Sequence, residues 1–302
     1  MQHTRRSFIK NTSTVIAGAS LLNTNLHSFF KQKALTGIQL YSVRTDMMKD
    51  PLDTLKQLAG FGYKYVEHAN YVNRKFYGYT AKEFKKVLSD LGMKMPSGHT
   101  VLAMNHWDDT KKDFTDSWKY TIEDAATVGQ AFVISPWLDE KWRNTYDRLK
   151  HAMDVFNKCG ELCRKNGMKF GYHNHDFEFS QRLNDQTVYD IMLSSTDAKL
   201  VIQQLDTGNL YNGGAKALDV VNQFPGRFAS LHVKDEILAS TGHEKYESTV
   251  LGKGIVGVKD VIDICKKSGG TIHYIIEQEA YQGKSPLECA KENIAIMKGW
   301  GY

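Results

Sequence analysis

Three stretches decide the fold: Ala131-Phe-Val-Ile-Ser135, then Lys141-Trp-Arg-Asn-Thr-Tyr-Asp-Arg-Leu-Lys-His-Ala-Met-Asp-Val-Phe-Asn-Lys-Cys-Gly-Glu-Leu-Cys-Arg-Lys-Asn166, then Lys169-Phe-Gly-Tyr-His-Asn-His175. The outer two are short and β-rich. In the middle one Trp142, Tyr146, Leu149, Met153, Phe156 and Cys159 recur at steps of three and four, the stripe of an amphipathic helix, and Gly167 closes the run as a helix C-terminus requires. Two strands joined by a helix form the unit of a parallel sheet.

The same alternation extends in both directions. Strands are expected at Gly37 to Val43, Tyr63 to Glu67, Met93 to His99, Ala131 to Ser135, Lys169 to His175, Leu200 to Asp206, Phe228 to Val233 and Thr271 to Glu277. Helices are expected near Leu52 to Ala59, Ala81 to Asp90, Thr115 to Val128, Lys141 to Asn166, Thr187 to Leu193, Ala215 to Gln223, Val258 to Lys267 and Pro286 to Lys298, several ending in glycine, as at Gly60, Gly92 and Gly129. Eight strand-then-helix units in about 265 residues predict an α/β fold, the (β/α)8 TIM barrel, which takes about 250. The competing open sheet with a dinucleotide site would place Gly-x-Gly-x-x-Gly after the first strand. Only a loose match occurs, at Gly252 to Gly257, and it follows the seventh strand across a long loop. No Pro- or Ser-rich linker divides the chain, so residues 35–302 are read as one domain.

Composition narrows the function. At 41% hydrophobic and 24% charged, the 302 residues suit a chain with a sizeable core, not a disordered or collagenous one, and no apolar run reaches the roughly 18 residues of a membrane span. The net charge of +5 arises in residues 1–34, where Arg5, Arg6, Lys10, Lys31 and Lys33 meet no acid; the remainder has 34 basic and 34 acidic groups. That neutral body argues against nucleic acid as a partner. Thr4-Arg5-Arg6-Ser7-Phe8-Ile9-Lys10, followed by the mildly apolar Val15 to Leu22, resembles a twin-arginine export signal, which implies an exported, periplasmic protein. Cys159, Cys163, Cys265 and Cys289 are expected as buried thiols, since no spacing among them suits a zinc cluster.

In such a barrel the chemistry sits at the C-terminal ends of the strands. Ionisable residues collect there: Glu67, His99, His173 and His175, Asp206, His232 and Lys234, and Glu277. Strand side chains alternate, so His173 with His175, Gln204 with Asp206, His232 with Lys234, and Glu277 with Glu279 share faces. An interior ring of acids and imidazoles is costly to desolvate unless a cation neutralises it, and the mixed oxygen and nitrogen donors suit manganese, zinc, cobalt, iron or magnesium better than calcium.

Gly37-Ile-Gln-Leu-Tyr-Ser-Val-Arg44, Gly171-Tyr-His-Asn-His-Asp-Phe-Glu-Phe179, Leu205-Asp-Thr-Gly-Asn209, Leu231-His-Val-Lys-Asp235, Leu251-Gly-Lys-Gly254 and Ile276-Glu-Gln-Glu279 together resemble the sugar phosphate isomerase/epimerase superfamily with its xylose isomerase-like TIM barrel. The resemblance implies one divalent metal ion held by Asp206, His232, Glu277 and a residue of the fifth strand. It also implies a small-molecule carbohydrate or keto sugar as substrate. Epimerases of this type resemble one another in a fifth-strand glutamate, where this chain has His173. That departure favours relatives that enolise a keto sugar and then eliminate or add water, such as inosose dehydratases and enzymes of 3-keto-glycosides, over a simple ketose 3-epimerase.

His175 or His173, whichever does not bind metal, is the expected base, with His173 assigned to the metal; Glu277 is a second proton carrier and Lys234 steadies an oxyanion. Glu67, His99, Gln204, Asn209 and Trp107 are expected to bind substrate or orient ligands, and Tyr41 and Trp137 to add aromatic wall. The segment from Asp235 to Gly254 is read as a lid presenting His243 or Glu247. Two other classes stay open: a non-catalytic carbohydrate-binding barrel, and a phosphodiesterase like the apurinic endonucleases. Against the second, Asn209 stands where those enzymes resemble one another in a histidine. Oligomeric state is not legible.

Overall fold

Strand side chains alternate, and in this chain the alternation sorts polar from apolar. The computed structural model describes residues 35–240 and 245–302. Eight strands, β1 (Leu35–Gln39), β2 (Tyr65–His68), β3 (Lys94–His99), β4 (Phe132–Ser135), β5 (Lys169–His173), β6 (Val201–Asp206), β7 (Ser230–Val233) and β8 (His273–Ile276), pair in sequence order and close, β8 against β1, into a barrel. Every pairing in the barrel is parallel. The principal outer helices are α1 (Pro51–Phe61), α2 (Ala81–Asp90), α3 (Asp116–Val128), α4 (Tyr146–Lys165), α5 (Val188–Ser195), α6 (Ala217–Gln223), α7 (Val258–Ile264) and α8 (Pro286–Gly299). The export signal expected over residues 1–34 lies outside the described residues.

On β5, Phe170 and Tyr172 turn outward onto Phe156 of α4, with ring centroids 5.1 and 5.7 Å apart. Gly171 and His173 therefore face the interior. Toward the N-terminal end, Phe132, Ile134 and Ile202 form an apolar plug. A side chain at Gly171 would strike the side-chain ends of Ile134 and Ile202, which would have to shift to admit it. Above the plug the interior becomes polar, with Gln39, Glu67, Ser97, Gln204 and Ser230 all buried. Register pairs Gln39 with Glu67, Glu67 with Ser97, and Gln204 with Ser230, forming one layer.

Several expected elements change at their ends. The first strand stops at Gln39 and residues Leu40–Val43 form a 3-10 turn, with Gln39 accepting a hydrogen bond from the Tyr41 amide. The helix expected over Lys141 to Asn166 is broken into Glu140–Arg143 and α4, because Thr145 caps α4 through the Arg148 amide. The fifth strand ends at His173, so His175 sits in the loop beyond it.

The expected lid is a hairpin, Asp235–Leu238 against Tyr246–Thr249. Its root is fixed: Asp235 accepts hydrogen bonds from the amides of Gly252, Gly254 and Val256. Glu247 accepts from Gln282 and does not line the mouth cavity, while His243 falls outside the described residues. All four cysteines are buried and free.

Candidate metal centre and active site

β5 to β8 deliver His173, Asp206, His232 and Glu277 to one point, each buried, with one ligand atom apiece lying within 4.8 Å of all the others. Register explains the meeting. Asp206 pairs with His232, and Glu277 follows immediately on β8.

The layer beneath orients the ring nitrogens. The Gln204 amide donates to Glu67 Oε2 at 2.8 Å and Ser230 Oγ at 3.0 Å, so its Oε1 faces upward and accepts from His173 Nδ1 at 3.2 Å. With Nδ1 carrying the proton, His173 Nε2 keeps a lone pair for a cation. His232 Nε2 donates to Glu67 Oε1 at 2.6 Å, which turns Nδ1 toward Glu277 Oε2 at 3.0 Å and Asp206 Oδ2 at 3.8 Å. Asp206 Oδ1 accepts from the Asn209 amide, but the buried Oδ2 has no hydrogen-bond partner among the described residues. An orphaned carboxylate oxygen among two imidazoles and a second carboxylate is a donor set that a divalent ion satisfies. His99, His173 and His232 form an alternative trio, yet His99 Nε2 is already engaged with Gln204 Oε1 at 2.6 Å.

Charge follows the same geometry. Burial pushes the Asp206 carboxyl up to about 8, against the pull of Lys234 and with Glu277 adding to the rise. Burial also opposes ionisation of Glu277, but His232 and Lys234 outweigh it and hold that carboxyl well below the usual range. For His232 burial disfavours the cation, but Glu277 and Glu67 overcome it and raise the imidazole to about 10. Without a metal, protons on His232 and Asp206 supply the balancing charge, and a metal must displace them.

In front of the cluster lies a cavity of about 860 Å³. His173, Glu277, His99, His175, Asn209 and Tyr41 line it. Asn209 accepts from Lys234 Nζ at 3.2 Å, and the same ammonium is paired with Glu279 and lies 3.9 Å from Glu277 Oε2. His175 holds its place through its amide, which donates to Glu178 Oε2 at 2.9 Å, and through Trp137, which meets its ring edge-on at 5.2 Å.

Three expected substrate contacts move. Glu67 is fully buried beneath His232, held by Gln39, Ser97, Gln204 and His232, so it positions the His232 ring and does not line the cavity. Gln204 is likewise fully buried and orients His173. Trp107 donates to Asp109, packs on Phe114 and does not line the cavity. Two residues join the site that were not among those expected: Asn174, whose Oδ1 accepts from the Asp206 amide at 2.9 Å and whose backbone oxygen accepts from Asn209, and Glu279, which pairs with Lys234. The Asn between two histidines carried a signal for the first; only the fold reveals the second.

Fold and site together define a TIM barrel with a divalent-metal donor set at its C-terminal mouth. A family model described as xylose isomerase-like TIM barrel matches residues 55–300, and the chain belongs to that family. An inosose dehydratase from Geobacillus thermodenitrificans is 25% identical over 66% of this chain and 73% of its own length. Among solved structures, a sugar phosphate isomerase/epimerase from Parabacteroides distasonis superposes with a TM-score of 0.73 at 22% identity, covering 89% of this chain and 95% of that one. The IolI protein with a bound zinc atom superposes with a TM-score of 0.68 at 13% identity, covering 88% and 97%.

Proposed function

We propose that the chain is a divalent-metal-dependent sugar enzyme that removes the proton beside a carbonyl of an unphosphorylated keto sugar, the step common to isomerisation, epimerisation and elimination or hydration. One observation carries the reading: the four-donor cluster and an uncharged imidazole, His175, meet at the same cavity. His173, Asp206, His232 and Glu277 would hold manganese, zinc, cobalt, iron or magnesium, which supplies Lewis-acid polarisation of the carbonyl.

His175 takes the proton. Burial, helped by Lys234, lowers its imidazole to about 4, so the ring is the free base at neutral pH. Glu277, which lines the same cavity, is the second proton carrier, and Lys234 beside it adds positive potential where oxygen gains charge. His99 and Asn209 line the cavity within reach of substrate hydroxyls, and the exposed Tyr41 ring, braced by Arg44 at 4.5 Å, gives an apolar face. The dehydratase relative supports loss of water as the outcome. Residues 1–34 are proposed to direct export, which fractionation of cells expressing the full chain and an Arg5→Lys, Arg6→Lys variant tests.

Manganese-loaded protein incubated with a panel of keto sugars in deuterated water should place deuterium on one carbon beside the carbonyl, and His175→Ala should abolish the uptake. Uptake that survives in this variant contradicts the assignment of the base.

A further inference from the structure

We propose that Glu178 is the positioning residue for the expected base, an uncharged carboxylic acid that ties the His175 backbone to Tyr172 on the outer side of β5 and so holds the imidazole at the cavity. The inference rests on the proposed function, in which His175 takes the proton, and adds to it the group that places that base.

The need for such a residue comes from the ring itself. Gln204 aims His173 through Nδ1, and Glu67 aims His232 through Nε2. The Nδ1 of His175 is buried and has no hydrogen-bond partner among the described residues. Its placement must therefore come through backbone and packing. The sheet does not supply it, because β5 ends at His173 and the His175 amide lies beyond the ladder.

Glu178 fills that gap. It lies on the single helical turn Phe177–Ser180, has no exposed surface, and accepts from the His175 amide through Oε2 at 2.9 Å, while its Oε1 meets the Tyr172 hydroxyl. Tyr172 is fully buried and packs on Phe156 of α4, so the link anchors the base to the outer helical layer. The same turn carries Phe177, whose ring lies nearly parallel to that of His175 with centroids 6.2 Å apart, and the Arg143 guanidinium lies over Phe177 at 3.8 Å. One turn thus gives His175 both a packing face and a hydrogen bond.

Chemistry sets the form of the link. Among the described residues no cation pairs with Glu178, and a fully buried carboxyl without one favours its neutral form; burial raises it to about 8. A neutral acid has one O–H, which it shares with the Tyr172 hydroxyl, and one carbonyl oxygen, which takes the amide. Glutamine has the same shape, with an N–H donor in place of the O–H. Aspartate keeps the acid but is one methylene short of spanning both partners.

The two replacements therefore reverse the usual order of conservatism. With manganese-loaded protein in deuterated water and the keto sugar of the panel that exchanges fastest, Glu178→Gln should keep kcat within about threefold of the unaltered protein. Glu178→Asp should lower kcat about 100-fold, the loss that follows from displacing a reacting group by about 1 Å, and both variants should keep KM and manganese affinity within about twofold. Tyr172→Phe, which removes the outer anchor, should fall between them. A loss of kcat in Glu178→Gln equal to that in Glu178→Asp, or no loss in Glu178→Asp, overturns the positioning role and leaves the proposed function standing. If no keto sugar exchanges in the unaltered protein, the enolisation reading fails, and long-range proton–nitrogen NMR of the imidazole rings decides the inference separately. The His175 signals, assigned by their absence in His175→Ala, should move in Glu178→Asp and stay in place in Glu178→Gln; unmoved signals in Glu178→Asp, or equal movement in both, overturn it.

Discussion

Glu67 on β2 and Asp206 on β6 are both carboxylates with no exposed surface, both against His232, and their surroundings drive them in opposite directions. Glu67 accepts hydrogen bonds from Gln39, Ser97, Gln204 and His232, filling both oxygens. Burial opposes its ionisation, but His99 and His232 outweigh it and hold the carboxyl well below the usual range. Asp206 has one oxygen capped by the Asn209 amide and the other empty, and burial raises it to about 8. A buried charge whose partners are all protein is part of the scaffold. A buried carboxyl with an open lone pair, neutralised only by a proton, is suited to a cation that displaces the proton.

The comparison breaks most visibly through metal binding. Asp206→Ala should lower divalent-metal affinity by more than the roughly 10–100-fold expected for loss of an outer partner, and Glu67→Gln should fall within that range. Titration calorimetry with manganese separates the two; equal losses would mean that Asp206 is not a ligand. Thermal stability sharpens the contrast in reverse. In metal-free protein Glu67→Leu removes one of the two carboxylates that hold the buried His232 cation and strands the Gln39, Ser97 and Gln204 donors, and should cost about 3–5 kcal/mol, whereas Asp206→Asn should cost far less. Metal at about 100 times its Kd should stabilise the unaltered protein by about 2.7 kcal/mol and leave Asp206→Asn unchanged.

Protons provide the next test. Asp206 and His232 both have folded-state values above their unfolded ones, about 8 and about 10. The stability each adds to metal-free protein is complete below its unfolded value and is lost as pH rises, through about 8 for Asp206 and about 10 for His232. Denaturant titrations from pH 6 to 10 should therefore show falling stability, with the Asp206 part absent in Asp206→Asn. Metal affinity should rise over the same interval, with proton release detectable as a buffer-dependent binding enthalpy. The smallest effect concerns the tryptophans: Trp107→Ala should leave kcat/KM unchanged, since that ring packs on Phe114 away from the cavity.

Periodicity made the barrel legible because each strand and helix announces its buried face locally, as the steps from Leu149 through Met153 and Phe156 to Cys159 do. The expected donor residues were legible for a related reason: position at a strand's C-terminal end can be counted along the chain, and Asp206, His232 and Glu277 all fall there. Depth was not. Glu67 lies near the C-terminal end of its strand as the donors do, but it sits in the layer below them, and only the stagger of neighbouring strands settles which layer a residue joins. Contacts between distant segments were equally hidden. Nothing local to Arg74 points to Asp124, 50 positions away, and nothing local to Lys234 points to Glu279. The choice between His173 and His175 turned on where the fifth strand stops, the least readable property of any element.

Anomalous diffraction at the zinc edge, from crystals of the protein grown with that ion, addresses the metal assignment without intermediaries. The expected result is one strong peak about 2.0–2.2 Å from donor atoms of His173, Asp206, His232 and Glu277, with His175 unligated on the cavity wall. A peak bound by His175 or by the His99 trio, or none inside the barrel mouth, would contradict it.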